Sequence, residues 1–215
     1  MKGILMKPDM NRAIREGRKT QTRRLQGLDV INEAPDAWYV SMVAVGHPER
    51  GWYFKNKYTG YEKVVKPRYR PGETVYVKEA CRSWCIDGRW AVRYKLDNSV
   101  RQSVIGADEN TDDYYFVEHE EKWDSPMFMP EWAARTHLLI LTVEPQRLQD
   151  ITPEDCEAEG IISAIEDDGR PDSQALRDMD LVDQYHRLWD SINPKYPWAS
   201  NPWLWKITYK KVEGR

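Results

Sequence analysis

Side chains able to bind an anion or attack a carbonyl are concentrated near the N-terminus, in residues 16–24 (E-G-R-K-T-Q-T-R-R). A short helical pattern at residues 11–16 precedes Gly17, and glycine is typical of the left-handed position at a helix end. The chain is therefore expected to turn there and to present Lys19 and Thr22 from an irregular segment. A cation and a hydroxyl on such a segment suit capture of a polar or anionic ligand. A basic, solvated helix end explains the same residues, because the helix dipole stabilises cations near a C-terminus.

Composition limits how the chain could contact nucleic acid. Its 215 residues suit one sizeable domain, and its net charge of −3 argues against coating nucleic acid by bulk charge. Any such contact requires a local basic patch. Ten tryptophans and twelve tyrosines, against three phenylalanines, supply rings that stack on bases, although β-rich cores also use such rings.

Patterns of secretion, membrane insertion and metal binding are missing from the sequence. The start has no leader-like apolar stretch and no run is apolar enough to span a bilayer, so we expect a cytoplasmic protein without a membrane partner. Three cysteines fit reduced thiols, and four scattered histidines complete no metal template. We therefore expect no metal and no cofactor.

The elements expected to position the N-terminal segment follow from the patterning. It predicts four strands, at residues 74–79, 90–94, 136–143 and 203–212. Loops and a hairpin are expected between residues 28 and 66. Thr152 before a proline predicts a helix N-terminus, with the helix ending at Glu159 before Gly160, and a second helix is expected over residues 181–192. This order is typical of an α+β chain whose strands pair mainly antiparallel and close into a small barrel.

Several segments together match one family pattern, in the right order and over almost the whole chain. Residues 12–24 (R-A-I-R-E-G-R-K-T-Q-T-R-R) resemble the N-terminal signature of ASCH domains, members of the PUA-like superfamily. Later blocks at residues 70–79, 140–161 and 188–212 resemble the rest of the pattern, as found in the larger members carried by phages and prophages. The resemblance implies a single α+β domain over residues 1–215, a PUA-like small mixed or antiparallel β-barrel with flanking helices. The inserts would lie near residues 28–66 and 84–133.

The same resemblance implies a function. Known ASCH domains have a cleft associated with nucleic acids or nucleobases, and small bacterial members hydrolyse cytidine that carries an acetyl group on its exocyclic amine. Matched position by position, the lysine, threonine and glutamate of those enzymes fall at Lys19, Thr22 and Glu159. We therefore expect a hydrolase acting on a nucleoside or modified base. A non-catalytic module that binds RNA or a modified base is one alternative, and a ribonuclease is another.

The chemistry of these three residues leaves two roles open for the lysine. Thr22 is a plausible nucleophile if a base takes its proton, and Lys19 serves as that base if burial lowers its pKa towards neutrality. A neighbouring Glu159 carboxylate has the opposite effect, so Lys19 as a cationic anchor stays open. Positions 19 and 22 of a regular strand face opposite sides, and a shared cleft therefore requires a turn or bulge between them.

Further residues are candidates for ligand contact. They are Arg18, Thr20, Arg23, Arg24, Lys78, Glu79 and Trp84. Arg23 and Arg24 carry forked donors suited to phosphate, or are ordinary surface arginines. Lys78 and Glu79 end a predicted strand and are expected to form an exposed ion pair, although this end of the barrel would face the cleft. Trp84 is a candidate for stacking on a base, with core packing as the alternative.

Overall fold

The protein is described by a computed structural model over residues 1–43, 51–86, 89–106, 123–166 and 169–212. In these ranges the chain forms eleven strands and four α-helices. The strands are β1 (Lys2–Leu5), β2 (Gln21–Arg24), β3 (Trp38–Val43), β4 (Trp52–Asn56), β5 (Glu62–Val65), β6 (Thr74–Lys78), β7 (Cys81–Ile86), β8 (Arg89–Tyr94), β9 (Val100–Gly106), β10 (His137–Arg147) and β11 (Trp203–Val212). The helices are α1 (Pro8–Arg15), α2 (Asp29–Asn32), α3 (Pro153–Ala158) and α4 (Pro171–Ile192).

The chain divides into two compact units, and each contains helix and strand. Unit 1 takes its described residues from Met1–Arg15, Thr74–Leu138 and Lys211–Arg215, and unit 2 from Glu16–Glu73 and Leu139–Lys210. Both parallel and antiparallel strand pairs occur. The fold is therefore α+β, as the sequence predicts.

Unit 1 combines a parallel strand pair with an antiparallel sheet. β1 pairs in parallel with β6, so that Gly3 lies opposite Tyr76. This pair differs from the antiparallel pairing that the sequence favoured, and it is feasible because a long connection separates the two strands. β7, β8 and β9 form an antiparallel sheet. Its buried residues include Val92 and Tyr94, and the Tyr94 hydroxyl donates a hydrogen bond to the Ala133 carbonyl at 2.6 Å.

Unit 2 holds the strand that forms the second half of the N-terminal segment of residues 16–24. β2 pairs antiparallel with β11, and Thr22 lies opposite Ile207. β3, β4 and β5 form a second antiparallel sheet, so the segment expected to hold loops and a hairpin contains three strands. The helix expected over residues 181–192 is longer and begins at Pro171, because a proline at the first helical position starts it within a polar stretch.

Two predicted helix ends are confirmed, and they fix the segments that carry the candidate site. α1 is followed by Gly17 at a φ of +79°, and α3 is followed by Glu159 and then Gly160 at a φ of +93°. Both values lie in the left-handed region that glycine adopts at little cost. The predicted N-cap is also confirmed, since the Thr152 hydroxyl accepts a hydrogen bond from the Asp155 amide at 3.2 Å.

The described residues contain neither a helix suited to crossing a membrane nor a side-chain cluster suited to holding a metal ion. None of the described helices is both long and apolar enough to cross a bilayer. The described residues also contain no group of three or more His, Cys, Asp and Glu side chains placed to hold a metal ion. Cys81 and Cys156 are buried free thiols, and burial raises the pKa of Cys81 to about 11 and that of Cys156 to about 12. These two thiols are therefore poor nucleophiles at neutral pH.

Candidate functional site

Lys19 and Glu159 meet in the interior of unit 2. Lys19 Nζ donates hydrogen bonds to the Glu159 carbonyl at 2.8 Å and to the Glu159 carboxylate. The side chains are 0% and 4% exposed, respectively. The predicted proximity of these two residues is confirmed. Their enclosure differs from the ligand-binding cleft that the family resemblance implied, because the two charged groups pair with each other instead of facing water.

The backbone explains why these two distant positions meet. Lys19 lies in the irregular segment between α1 and β2, and the next amide, that of Thr20, donates to the Ala158 carbonyl at 2.8 Å. On its other side, the Thr20 carbonyl accepts from the Tyr209 amide at 3.0 Å. Glu159 is the C-cap of α3 and follows Ala158 directly. The hydrogen bond from the Thr20 amide therefore holds the segment that carries Lys19 against the C-terminal end of α3.

Arg23 is a second buried cation on the same carboxylate. Its Nη1 donates to Glu159 at 3.0 Å, and its Nη2 donates to Asp155 at 2.7 Å and to Gln146 at 3.0 Å. The guanidinium side chain is 0% exposed. Its donors therefore hold protein side chains in this structure, whereas the sequence suggested either a phosphate contact or an ordinary surface arginine. Lys19, Arg23, Asp155 and Glu159 together form what we call the charge cluster.

Asp155 extends the charge cluster towards β11. Its Oδ1 accepts hydrogen bonds from Lys206 at 2.7 Å and from Gln21 at 2.9 Å. Asp155, Gln21 and Lys206 were not identified as site residues from the sequence. A signal for Asp155 was available, since Asp155 and Glu159 are four positions apart and so lie on one helical face.

Burial and charge act differently on the members of the charge cluster. Burial lowers the pKa of Lys19, and the opposing effect of Glu159 does not restore it, in part because the Arg24 and Arg23 charges lower it further. Burial also lowers the pKa of Arg23, but the Glu159 and Asp155 carboxylates outweigh it and the pKa is raised. Lys19 is therefore the cation of the cluster that most readily gives up its proton.

Thr22 lies apart from this network. It belongs to β2, whereas the sequence predicted an irregular segment, because Gln21–Arg24 pairs with β11. Strand alternation puts Thr22 and Arg23 on opposite faces of β2. Thr22 is 4% exposed, and its hydroxyl makes no hydrogen bond with another described residue. The structure thus brings Lys19 and Glu159 together without showing Thr22 in contact with them.

The remaining candidates near the N-terminus have different surroundings. Arg18 is exposed, and it donates to the Glu16 carboxylate at 2.9 Å and to the Gly160 carbonyl at 3.3 Å. Thr20 is exposed, and its backbone links two elements as described above. Arg24 is half-buried and follows Thr22 on the same face of β2. Arg18 and Thr20 are thus the ligand-contact candidates of residues 16–24 that face solvent.

Three candidates belong to unit 1. Lys78 Nζ donates to the Met127 carbonyl at 2.5 Å. Glu79 is 2% exposed, and Arg135 contacts it with two donors at 3.0 and 2.6 Å, so the expected surface pair of Lys78 with Glu79 is absent from the described residues. Arg135 was not identified from the sequence. Trp84 lies on β7, and its side chain falls outside the described part of the structure.

Comparison of the chain with protein-family models, with curated proteins and with solved structures finds no match to any of them. No relative therefore contributes to the functional conclusion. Function is inferred instead from the chemistry of the charge cluster and from the sequence blocks that resemble ASCH domains.

Proposed function

We propose that this chain is an ASCH-type protein of the PUA-like superfamily that binds or acts on a nucleobase, nucleoside or RNA. Its proposed reaction is hydrolysis of an acylated cytidine. Under this proposal residues 1–215 form one domain, the central strands close into a small β-barrel with flanking helices, and the protein acts in the cytoplasm. The observation that carries the proposal is the buried Lys19 amine held against Glu159.

The cost of burying these charges supports a functional role. Removing an ion from water is expensive, and well-packed apolar residues usually stabilise a core as well or better. The charge cluster nevertheless buries the side chains of Lys19, Arg23, Asp155 and Glu159, which are at most 8% exposed. Perturbed ionisable groups of this kind are concentrated at functional sites. The lowered pKa of Lys19 also favours the neutral amine that a proton acceptor requires.

The proposed reaction assigns a step to each of the three residues. The Thr22 hydroxyl attacks the acyl carbonyl carbon, and a neutral Lys19 amine accepts the hydroxyl proton and delivers it to the exocyclic nitrogen as the C–N bond breaks. Water then hydrolyses the acyl-threonine ester and releases a carboxylic acid. Glu159 orients Lys19. Because Lys19 and Glu159 are enclosed and Thr22 lies on β2, substrate entry requires a rearrangement that exposes the amine to the hydroxyl.

A non-catalytic reader is the second candidate, and one observation favours it. Both hydrogen bonds from Lys19 Nζ go to oxygens of Glu159, and such bonds favour the ammonium form. A lysine that stays charged would anchor a base or a phosphate instead of accepting a proton. The same residues would then serve recognition without turnover.

Turnover of N-acetylcytidine by the full chain tests the proposal, with release of cytidine followed by liquid chromatography. We expect the wild type to release cytidine and Lys19→Met to lose the activity. Glu157→Gln is the matched control for Glu159→Gln, since Glu157 lies on the same helix with a side chain 46% exposed. Binding of cytidine or structured RNA without turnover would support the reader, and cleavage of the RNA would indicate a ribonuclease. Absence of binding and of turnover would refute the proposal.

A further inference from the structure

The sheet formed by β3, β4 and β5 has one face turned away from the core. Phe54 is fully buried at 0% exposure. Its strand neighbours Tyr53 and Lys55 therefore lie on the opposite face. Across the sheet, Tyr39 lies opposite Lys55 and Val64 lies opposite Tyr53, so the same face continues over all three strands. Tyr39 and Val64 are 40% and 45% exposed.

An exposed aromatic ring stands at the turn between β4 and β5. Tyr58 is 83% exposed, which leaves its ring without a packing role. The turn that carries it is held by Asn56, whose Oδ1 accepts hydrogen bonds from the Tyr58 and Thr59 amides at 3.0 Å each. A large ring that remains in solvent on a fixed turn is available to stack on a partner.

The segment of residues 51–70, which contains β4 and β5, has a net charge opposite in sign to that of the rest of the chain. Residues 51–70 contain four lysines, two arginines and one glutamate, a net charge of +5. Because the whole chain carries −3, the remaining residues carry −8. Lys57 and Lys66 are exposed, and Lys55 is partly neutralised by Glu62 at 3.6 Å. Lys55 lies on the same face as Tyr53, and the exposed Lys57 and Lys66 directly follow strands β4 and β5, which carry this face.

We propose that this surface binds single-stranded nucleic acid. We define the tyrosine–lysine face as Tyr39, Tyr53, Lys55, Lys57, Tyr58 and Lys66. Exposed rings stack on bases with little sequence preference, and lysines pair with phosphates as point charges. A local patch of this kind supplies the contact that the negative net charge of the chain excludes in bulk. The face shares no residue with the charge cluster, and its role is separate from the proposed catalysis.

Fluorescence anisotropy with a labelled single-stranded oligouridylate tests the role of the rings. Tyr58→Ala is expected to weaken binding about fivefold or more, since loss of one stacked base is worth roughly 1 kcal/mol or more. Phe128→Ala is the matched control, because Phe128 is an aromatic residue of unit 1 that is 79% exposed and lies outside the face. Circular dichroism verifies that both variants are folded. Equal affinities for Tyr58→Ala and the wild type would refute stacking at this face.

A salt titration of the same complex tests the role of the lysines. Lys57→Glu with Lys66→Glu is expected to weaken binding and to reduce the slope of log K against log salt by about 1.4, or roughly 0.7 for each phosphate that is no longer neutralised. Arg187→Glu is the charge control, since its side chain on α4 is 76% exposed. Failure of the wild type to bind, or binding only to a protein partner, would overturn the proposal whatever the nucleoside assay gives.

Discussion

Lys19 and Glu159 are joined through both ends of the glutamate, since Lys19 Nζ contacts its carbonyl at 2.8 Å as well as its carboxylate. The other carboxylate oxygen accepts from Arg23 at 3.0 Å. One carboxylate thus compensates two buried cations. Loss of that carboxylate leaves both cations short of a partner, whereas loss of the lysine leaves the carboxylate paired with Arg23. Glu159 is therefore more important for stability than Lys19.

The first prediction concerns Glu159. Glu159→Gln is expected to lower the free energy of unfolding by about 3–5 kcal/mol, the range observed when one partner of a buried pair is removed. Glu157→Gln, on the exposed side of the same helix, should cost less than about 1 kcal/mol. Urea unfolding of the three proteins measures both values. Similar values for the two variants would mean that Glu159 does not compensate buried charge.

The second prediction concerns pH. Burial holds the pKa of Lys19 below its ordinary value of 10.5. Between the folded and unfolded pKa values the unfolded chain binds a proton that the folded chain lacks, so this residue makes the protein more stable as pH rises through that window. The difference in unfolding free energy between wild type and Lys19→Met should therefore shift in favour of the wild type as pH rises.

Urea unfolding of both proteins at several pH values between neutrality and the ordinary pKa of lysine measures this shift. Subtracting the unfolding free energy of Lys19→Met from that of the wild type cancels the contributions that both proteins share. Tyr209 makes one such contribution, because burial raises its pKa. A difference that stays constant with pH would show that Lys19 remains an ammonium throughout. That result would favour the reader over the hydrolase.

The sequence predicted the parts of this fold that depend on local signals. The Thr152 cap, the glycines at positions 17 and 160 and the apolar strands were all recognisable because each signal acts within a few residues. β2 was missed, since the polar residues Gln21–Arg24 form a strand only through pairing with β11, far along the chain. Pairing between strands that are far apart in the sequence cannot be recognised from a local sequence pattern.

The candidate site likewise contains residues that the sequence identified and residues that it did not. Lys19 and Glu159 were identified through a family resemblance, and their contact is present. The roles of Asp155, Gln21 and Lys206 depend on which side chains meet across α3, β2 and β11, and composition and spacing do not determine that. Glu79 shows that a contact between distant segments can also overturn a prediction made from the sequence. It was expected in a surface pair, but it is buried because Arg135 reaches it from a distant segment.

The third prediction concerns Arg135. Its guanidinium contacts Glu79 with two donors and Asp97 at 2.9 Å, and its Cζ lies 3.8 Å from the centre of the Tyr94 ring. Arg135→Met should lower the unfolding free energy by about 3–5 kcal/mol, because the nearly buried Glu79 is left unpaired. Arg135→Lys should recover only part of the loss, since a lysine lacks the planar fork.

A double variant separates pairing from packing at this site. Arg135→Met combined with Glu79→Met removes both charges, and it is expected to be more stable than Arg135→Met alone. Urea unfolding of the single and double variants gives the comparison. If the double variant were less stable than either single variant, the ion pair would not explain the loss.

The fourth prediction concerns Thr22, whose hydroxyl makes no hydrogen bond with another described residue although the residue is only 4% exposed. Thr22→Val keeps the shape of the side chain and removes the hydroxyl, so it should change the unfolding free energy by less than about 1 kcal/mol, since no hydrogen bond is lost. If Thr22 is the nucleophile, Thr22→Val should abolish turnover of N-acetylcytidine, while Thr22→Ser, which retains a hydroxyl, should keep a measurable part of it. Unfolding and turnover measured on the same preparations separate a chemical role from a structural one. Turnover by Thr22→Val at the wild-type rate would exclude the hydroxyl as nucleophile and would leave Lys19 to activate water directly.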